Sequence, residues 1–149
     1  MPGSRCARRR QSEREPSGRN ALDAERVRLD LLTGSYTICR LSADAPVPPW
    51  ASLGTFSSIT RTANELSIVC MSDGVPVDVH AQRDYRGMAV RGPLDFSLVG
   101  ILAALTAPLA EASVSIFAVS TFDTDYLFVR AADLDRAFAA LRDAGHTVY

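Results

Sequence analysis

The sequence contains no lysine. All 16 Lys or Arg positions in this chain of 149 residues are arginine. It has only two histidines, His80 and His146, and no serine or cysteine in a nucleophile-elbow motif. Phosphate-binding glycine motifs and metal-ligand spacings are also missing. We therefore predict that the protein is not an enzyme, with no catalytic residue, no metal and no cofactor. A surface or capping role is favoured for each histidine.

Cysteine is scarce as well. The three cysteines are an odd number without short spacings, which argues against a disulfide framework and against a zinc site. Cys39 and Cys70 lie in strand-like runs and are predicted to be small core residues.

Long hydrophobic runs are absent. The longest weakly polar stretch, residues 98–110, is interrupted by Thr106 and Pro108 and is too short to span a bilayer. The first arginines are not followed by the apolar segment of a secretory signal. These observations predict a cytoplasmic protein without a membrane partner.

Charge is unevenly distributed along the chain. Residues 1–28 contain eight arginines and four acids, so the remainder holds eight arginines and 13 acids. The first residues have scarcely any large apolar side chain, which predicts a disordered tail over residues 1–30. The cluster Arg8–Arg10 suits nucleic acid or anionic lipid, but the acids that follow favour a solvated extension, so nucleic-acid binding is not expected.

The most informative segment is residues 115–130, where two β-branched and aromatic runs flank a polar turn from Ser120 to Asp125. This pattern predicts a β-hairpin. A weaker copy occurs at residues 56–69, and an offset of 60 positions lays it over residues 116–129. A repeated hairpin indicates two copies of one small module.

The second copy, residues 81–149, has the clearer pattern. A strand near Tyr85 precedes a helix that Asp95 or Ser97 caps and Pro108 interrupts; the hairpin, a second helix from about Ala132 and a short last strand follow. This βαββαβ order predicts an α+β, ferredoxin-like module with two helices on an antiparallel sheet.

The first copy, residues 31–80, is predicted to be degenerate. Pairing Tyr36 with Tyr85 gives an offset of 49, so the first copy is about eleven residues shorter before its hairpin. A proline-rich turn at Trp50 stands where a helix is expected. Both faces of the hairpin at 116–119 are apolar, which requires a cover from the first copy or from another subunit.

Two separated motifs, residues 92–102 and 116–129, together with the upstream repeat at 60–69, resemble the ACT domain. The resemblance is to small tandem ACT proteins related to the CASTOR arginine sensors and to aspartokinase regulatory domains, and it covers residues 31–149. It implies a regulatory module that binds an amino acid between two domains. A sensor without a catalytic domain must report to a protein partner, if it reports at all.

The resemblance also implies the ligand-binding residues, which lie before the first helix and in the hairpin turn: Asp95, Phe96, Ser97, Gly100, Thr121, Phe122, Asp123, Thr124 and Asp125. Each has a second interpretation. Asp95 serves equally as a helix cap, and Asp123 and Asp125 suit a turn whatever the function. Gly100, predicted inside the helix, fits close packing on the sheet as well as ligand access.

The chemistry of these residues predicts the ligand class. Backbone N–H groups at a helix start suit a carboxylate, and Asp123 or Asp125 accepts hydrogen bonds from an ammonium. With three acids and no arginine predicted in the pocket, a neutral or basic amino acid is favoured over an acidic one. A homodimer is expected. The alternative function is a dimerisation or protein-interaction module without a ligand.

Overall fold

The computed structural model describes residues 26–94 and 99–149. The tail prediction for residues 1–25, and the predicted site residues Asp95, Phe96 and Ser97, lie outside the described residues.

The described chain is an α+β protein dominated by antiparallel strands, as the sequence predicts. The strands are β1 (Arg28–Leu31), β2 (Tyr36–Leu41), β3 (Ser57–Arg61), β4 (Leu66–Met71), β5 (Ala81–Val90), β6 (Ile116–Ser120), β7 (Asp125–Arg130) and β8 (Thr147–Val148). The helices are α1 (Ile101–Glu111) and α2 (Leu134–Asp143). Neither helix in the described ranges has the length and apolarity needed to cross a lipid bilayer.

All eight strands belong to one sheet with β5 at its centre. The hydrogen-bonded order is β3-β4-β2-β5-β1-β8. Strand β7 also pairs with β5, and β6 pairs with β7. The two copies meet where Tyr36 of β2 pairs with Tyr85 of β5. These are equivalent residues at the predicted offset of 49, and their antiparallel pairing is what a local two-fold relation between the copies requires.

The predicted hairpin offset of 60 is wrong by one residue. Arg61 pairs with Leu66 across the first turn, and Ser120 pairs with Asp125 across the second, which gives an offset of 59. The error arose because similar apolar residues of the two hairpins were aligned, whereas hydrogen bonds within the two turns fix the register. The Thr62 and Thr121 N–H groups each donate to a carbonyl three residues on, at 2.9 Å.

The first copy lacks both helices. A 3-10 turn at Pro49–Ser52 stands in place of the first, and another at Ser72–Gly74 in place of the second. The proline-rich turn at Trp50 is thus confirmed as the replacement for a helix. Cys39 and Cys70, predicted as core residues, are buried with Ala51, Leu66 and Ile68 beneath the first turn.

Strand β1 shows that two of the predictions are wrong. Residues 28–30, assigned to the disordered tail, form part of a strand whose Leu29 is completely buried. This strand also lies between β5 and β8, so β8 pairs in parallel with β1 and the second copy has five strands instead of four. The error came from composition, since Val27 and Leu29 alternate with charged residues in an arginine-rich stretch.

Two apolar clusters surround the second copy's sheet. On one face, α1 and α2 cover Met88, Leu127 and their neighbours through Leu105, Leu109, Ala137 and Leu141. On the other, Phe128 lies 5.3 Å from the Tyr36 ring and 5.2 Å from the Phe56 ring. The first copy therefore supplies the cover that the doubly apolar hairpin requires.

The sequence placed His146 at the surface or in a cap, whereas it is buried. Its Nδ1 accepts a hydrogen bond from the Val27 N–H at 3.3 Å, and its Nε2 lies 3.1 Å from the Ala104 carbonyl oxygen. The ring thus joins the start of β1 to α1. This position depends on β1, which the sequence did not reveal.

Candidate functional site

A cavity of about 290 Å³ opens between the start of α1 and the β6–β7 turn. We call it the acidic cavity. Its lining comprises Leu94, Gly100, Ile101, Leu102, Ser120, Thr121, Phe122, Asp123, Thr124 and Asp125. Six of the nine residues predicted for the site therefore line one space, and the other three lie outside the described residues.

The β6–β7 turn is held by its own hydroxyls. The Thr121 hydroxyl donates to the Thr124 carbonyl at 2.8 Å and accepts from the Thr124 N–H at 3.3 Å. Ser120 Oγ donates to Asp125 Oδ1 at 2.5 Å. Two predicted ligand contacts, Thr121 and Thr124, thus have structural hydrogen bonds that fix the turn.

The turn is also attached to the segment that follows β5. The Thr124 hydroxyl donates to the Val90 carbonyl at 2.6 Å, and the Leu94 N–H donates to the Asp123 carbonyl at 2.8 Å. A Cβ at Gly92 would stand 2.9 Å from the Asp123 oxygen, so this close approach requires glycine. The wall of the acidic cavity is fixed on this side.

The prediction that Gly100 lies inside the helix is wrong. This residue is the N-cap of α1, with a φ of 91° that favours glycine, and the helix begins at Ile101. A glycine cap has no side chain to bind the first helical N–H groups. Gly100, Ile101 and Leu102 line the cavity, so the positive end of the helix dipole lies beside it, an arrangement suited to an anionic group.

The carboxylates of Asp123 and Asp125 supply the negative charge. Within the described residues, neither forms an ion pair, and Asp125 accepts its side-chain hydrogen bond from Ser120. A carboxylate with free acceptor positions can bind an ammonium group. The cavity therefore has an acidic end at Asp123 and Asp125 and a helix N-terminus at its other wall.

Four lining residues were missed by the sequence reasoning: Leu94, Ile101, Leu102 and Ser120. Ile101 and Leu102 had been assigned to the buried face of a helix that was expected to start earlier. Ser120 could have been found from the register, since it pairs with Asp125.

Two large apolar side chains beside the acidic cavity face solvent. Phe122 at the turn tip is 81% exposed, and Val99, which precedes the helix cap, is 97% exposed. The sequence predicted exposure of Phe122 unless a ligand or a subunit covers it. Phe122 lines the acidic cavity, and Val99 directly precedes the lining residue Gly100.

Arginines lie next to this site, although the sequence predicted none in it. A second cavity of about 260 Å³ shares Leu94 and Ile101 with the acidic cavity and is lined by Arg26, Val27, Arg28, Val90 and Arg91. We call it the basic cavity. Two of its arginines had been assigned to the tail and were therefore not considered.

Arg91 is fixed in place by a bidentate ion pair. Its Nε and Nη2 donate to the two carboxylate oxygens of Asp30 at 2.7 and 2.6 Å, and its guanidinium lies 4.1 Å from the centre of the Tyr149 ring. The bonded guanidinium lowers the pKa of Asp30, and the pKa of Arg91 is raised in turn. This pair joins β1 to the end of β5.

Metal ligands do not cluster in the part of the chain that the structure describes. No group of three or more His, Cys, Asp or Glu side chains there could hold a metal ion.

The fold and the site belong to a recognisable class. The family model of the ACT domain matches residues 80–143, and a model describing an N-terminal domain matches residues 34–78. The chain is an ACT-type protein. No curated protein sequence matches it.

Among solved structures, the Agobacterium tumefaciens protein Atu0741 is 44% identical; the match covers 84% of this chain and 93% of that one, with a TM-score of 0.80. The chain belongs to the same family as Atu0741.

Two further structures share the fold alone. Vibrio cholerae VC0802 is 18% identical, with 83% of this chain and 93% of that chain covered and a TM-score of 0.67. The ligand-free regulatory subunit of aspartate kinase from Thermus thermophilus is 12% identical, with 78% and 96% covered and a TM-score of 0.54.

Proposed function

We propose that the protein is a regulatory module of the ACT type that binds a free amino acid in the acidic cavity and has no catalytic activity of its own. One observation carries this proposal. Six residues chosen from the sequence line a single cavity of about 290 Å³, with two carboxylates that no arginine neutralises within the described residues. This volume is at the lower end of the range for small-molecule sites.

The two ends of an amino acid match the two ends of the cavity. The ammonium group binds Asp123 and Asp125, while the carboxylate lies at the start of α1, where the cap residue is a glycine without a side-chain hydrogen bond to the helix. An acidic side chain would meet the same carboxylates. A neutral or basic amino acid is therefore preferred over aspartate or glutamate.

A homodimer completes the site in this proposal. Val99 and Phe122 expose large apolar surfaces beside the acidic cavity, and a second copy of the chain would remove them from water. Ligand binding at such an interface couples ligand to assembly, which provides a signal that a protein partner can read. We also propose, from the sequence patterns, that the protein is cytoplasmic and related to the CASTOR-type tandem ACT proteins.

A second candidate function is a dimerisation module without a ligand. The exposed Val99 and Phe122 favour it, because subunit contact alone would cover them. The two functions differ in whether the acidic cavity binds a small molecule.

Thermal unfolding in the presence of each of the twenty amino acids separates the two functions. A ligand at 100 times its dissociation constant adds about 2.7 kcal/mol to the free energy of unfolding. Stabilisation by none of the twenty would leave the dimerisation module as the better account.

Calorimetry on Asp125→Asn then tests the site. Loss of a charge-assisted hydrogen bond should weaken binding by about 1.5–3 kcal/mol. Asp123→Ala is tested in the same way, and Asn64→Ala is its matched control, because Asn64 occupies the position in the first turn that Asp123 occupies in the second. Tighter binding of glutamate than of arginine and the neutral amino acids would contradict the charge preference.

Sedimentation equilibrium tests the dimer. We expect two copies per particle at micromolar concentration and dissociation in Phe122→Ser. A monomer in the presence and absence of amino acids would overturn this part of the proposal.

A further inference from the structure

The basic cavity adjoins the acidic cavity, with which it shares Leu94 and Ile101, but its own lining contains arginines. Arg26 and Arg28 approach it from β1 and the residues before it, and Arg91 approaches from the end of β5. The Arg91 N–H donates to the Arg28 carbonyl at 2.8 Å, so the two chain segments that carry the arginines are hydrogen-bonded. Val27 and Val90 give the space an apolar lining.

The three arginines do not have equivalent charge environments. Arg91 is neutralised by Asp30 and held in one orientation by that carboxylate and by the Tyr149 ring. Arg26 and Arg28 form no ion pair with any residue of the described ranges 26–94 and 99–149. Two positive charges, two residues apart, therefore have no anionic partner among the described residues, beside a cavity with a partly apolar lining.

The start of α1 adds to this positive potential. Ile101, the first residue of the helix, lines the basic cavity, and the positive end of the helix dipole lies there. Guanidinium groups bind carboxylate and phosphate oxygens in bidentate geometry, which makes an oxyanion the complementary ligand.

We propose that the basic cavity is a second ligand site, which binds a carboxylate or phosphate group of a small molecule through Arg26 and Arg28. Arg91 acts as a positioning residue because its own charge is already paired with Asp30. This site goes beyond the proposed amino-acid site, whose cavity presents carboxylates. The two cavities share Leu94 and Ile101, so occupancy of one can displace the wall of the other.

The test is a titration of the full chain with inorganic phosphate and, separately, with succinate, followed by amide NMR shifts at constant ionic strength. We expect saturable shifts at Val27, Val90 and Ile101. A smaller dissociation constant for phosphate identifies a phosphorylated ligand, and a smaller one for succinate identifies a carboxylate ligand. Absence of saturable shifts with both anions would overturn the proposal.

Three glutamine variants define the site. Arg26→Gln and Arg28→Gln should each raise the dissociation constant about tenfold or more, because each removes a charged hydrogen-bond donor. Arg40→Gln, on β2 and paired with Glu65, is the matched control and should bind as the parent does. A loss in only one of the first two variants assigns the contact to that arginine and supports the site. Equal affinity in all three variants, or an equal loss in the control, would refute it.

One further variant separates this proposal from the amino-acid site. Asp125→Asn should keep the phosphate or succinate affinity of the parent, whatever it does to amino-acid binding. If phosphate or succinate binds and none of the amino acids does, the anion site is supported and the proposed amino-acid site is not. Conversely, amino-acid binding without anion binding would leave the acidic cavity as the only supported site.

Discussion

The two hairpin turns are nearly the same structure, yet only the second borders the acidic cavity. In the first copy, the Arg61 guanidinium donates to the carbonyls of Ala43 and Ala45 and so joins the turn to the chain beyond β2. The register assigns Ser120 to the same position in the second copy, and its short side chain reaches only Asp125. The residue at this position is one difference between the two turns, and the second turn is attached instead by the Thr124 hydroxyl, which donates to the Val90 carbonyl.

The first copy also lacks the helix whose start forms the other wall. With offsets of 49 before the connection and 59 after it, the first copy is ten residues shorter there. The Pro49–Ser52 turn covers the core but offers no α-helical N-terminus. The comparison indicates that one copy serves as a structural support and the other carries the site.

The largest expected effect concerns the contact between the copies. Phe128→Ala should lower the free energy of unfolding by about 3–5 kcal/mol, because Phe128 is fully buried against Tyr36 and Phe56. The equivalent residue in the first copy is Val69, and Val69→Ala should cost only about 1.5 kcal/mol. Urea unfolding measures both. Equal losses of unfolding free energy in the two variants would mean that Phe128 contributes no more to the contact between the copies than Val69 does.

The next effect is on ligand binding. Ser120→Arg gives the second turn the residue of the first, and we expect the new guanidinium to bind Asp125 and occupy the acidic cavity. Affinity for the best amino acid should fall about 10- to 150-fold in calorimetry. Ser120→Ala keeps the space open and is the control. If the arginine variant binds like the alanine variant, the cavity is not the ligand site.

A smaller and symmetric effect is expected for the turn hydroxyls. Thr62→Val and Thr121→Val each remove the bonds of one hydroxyl to backbone groups within its turn. Each should cost about 1 kcal/mol of unfolding free energy, since the turns are exposed. Thermal unfolding of the two variants provides the measurement. A large difference between them would show that the turns are not equivalent.

The smallest effect concerns Asp30 and depends on pH. The folded-state pKa of Asp30 is below its unfolded value because Arg91 binds the carboxylate. This stabilisation is present above the unfolded pKa, about 3.9, and is lost as pH falls through the folded pKa. Asp30→Asn should therefore be slightly less stable than the parent at pH 7, and the difference should shrink as pH falls through the folded-state pKa of Asp30. A difference that persists at low pH would indicate lost packing instead.

The sequence predicted the elements that have strong local patterns. The β6–β7 hairpin follows from β-branched and aromatic residues, and the missing helix of the first copy follows from Pro48 and Pro49. The turn residues predicted for the site line one cavity, because the hairpin that carries them could be located.

Long-range pairing was the part that the sequence did not reveal. Strand β1 is only four residues long and is stabilised by β5 and β8, which are distant in the chain. Without β1, neither the burial of His146 nor the three arginines of the basic cavity could be predicted. The register error of one residue has a different, local origin, because apolar residues were aligned while hydrogen bonds within each turn fix the register.

The position of β1 between β5 and β8 also sets an order of events during synthesis. Leu29 pairs with Val148, and the residues between them must be made before that pair can form. At a synthesis rate of about 5–20 residues per second, the β8-facing edge of β1 stays unpaired for several seconds. The nascent chain thus carries an open strand edge near its start, a place where wrong pairing with another nascent copy competes with folding.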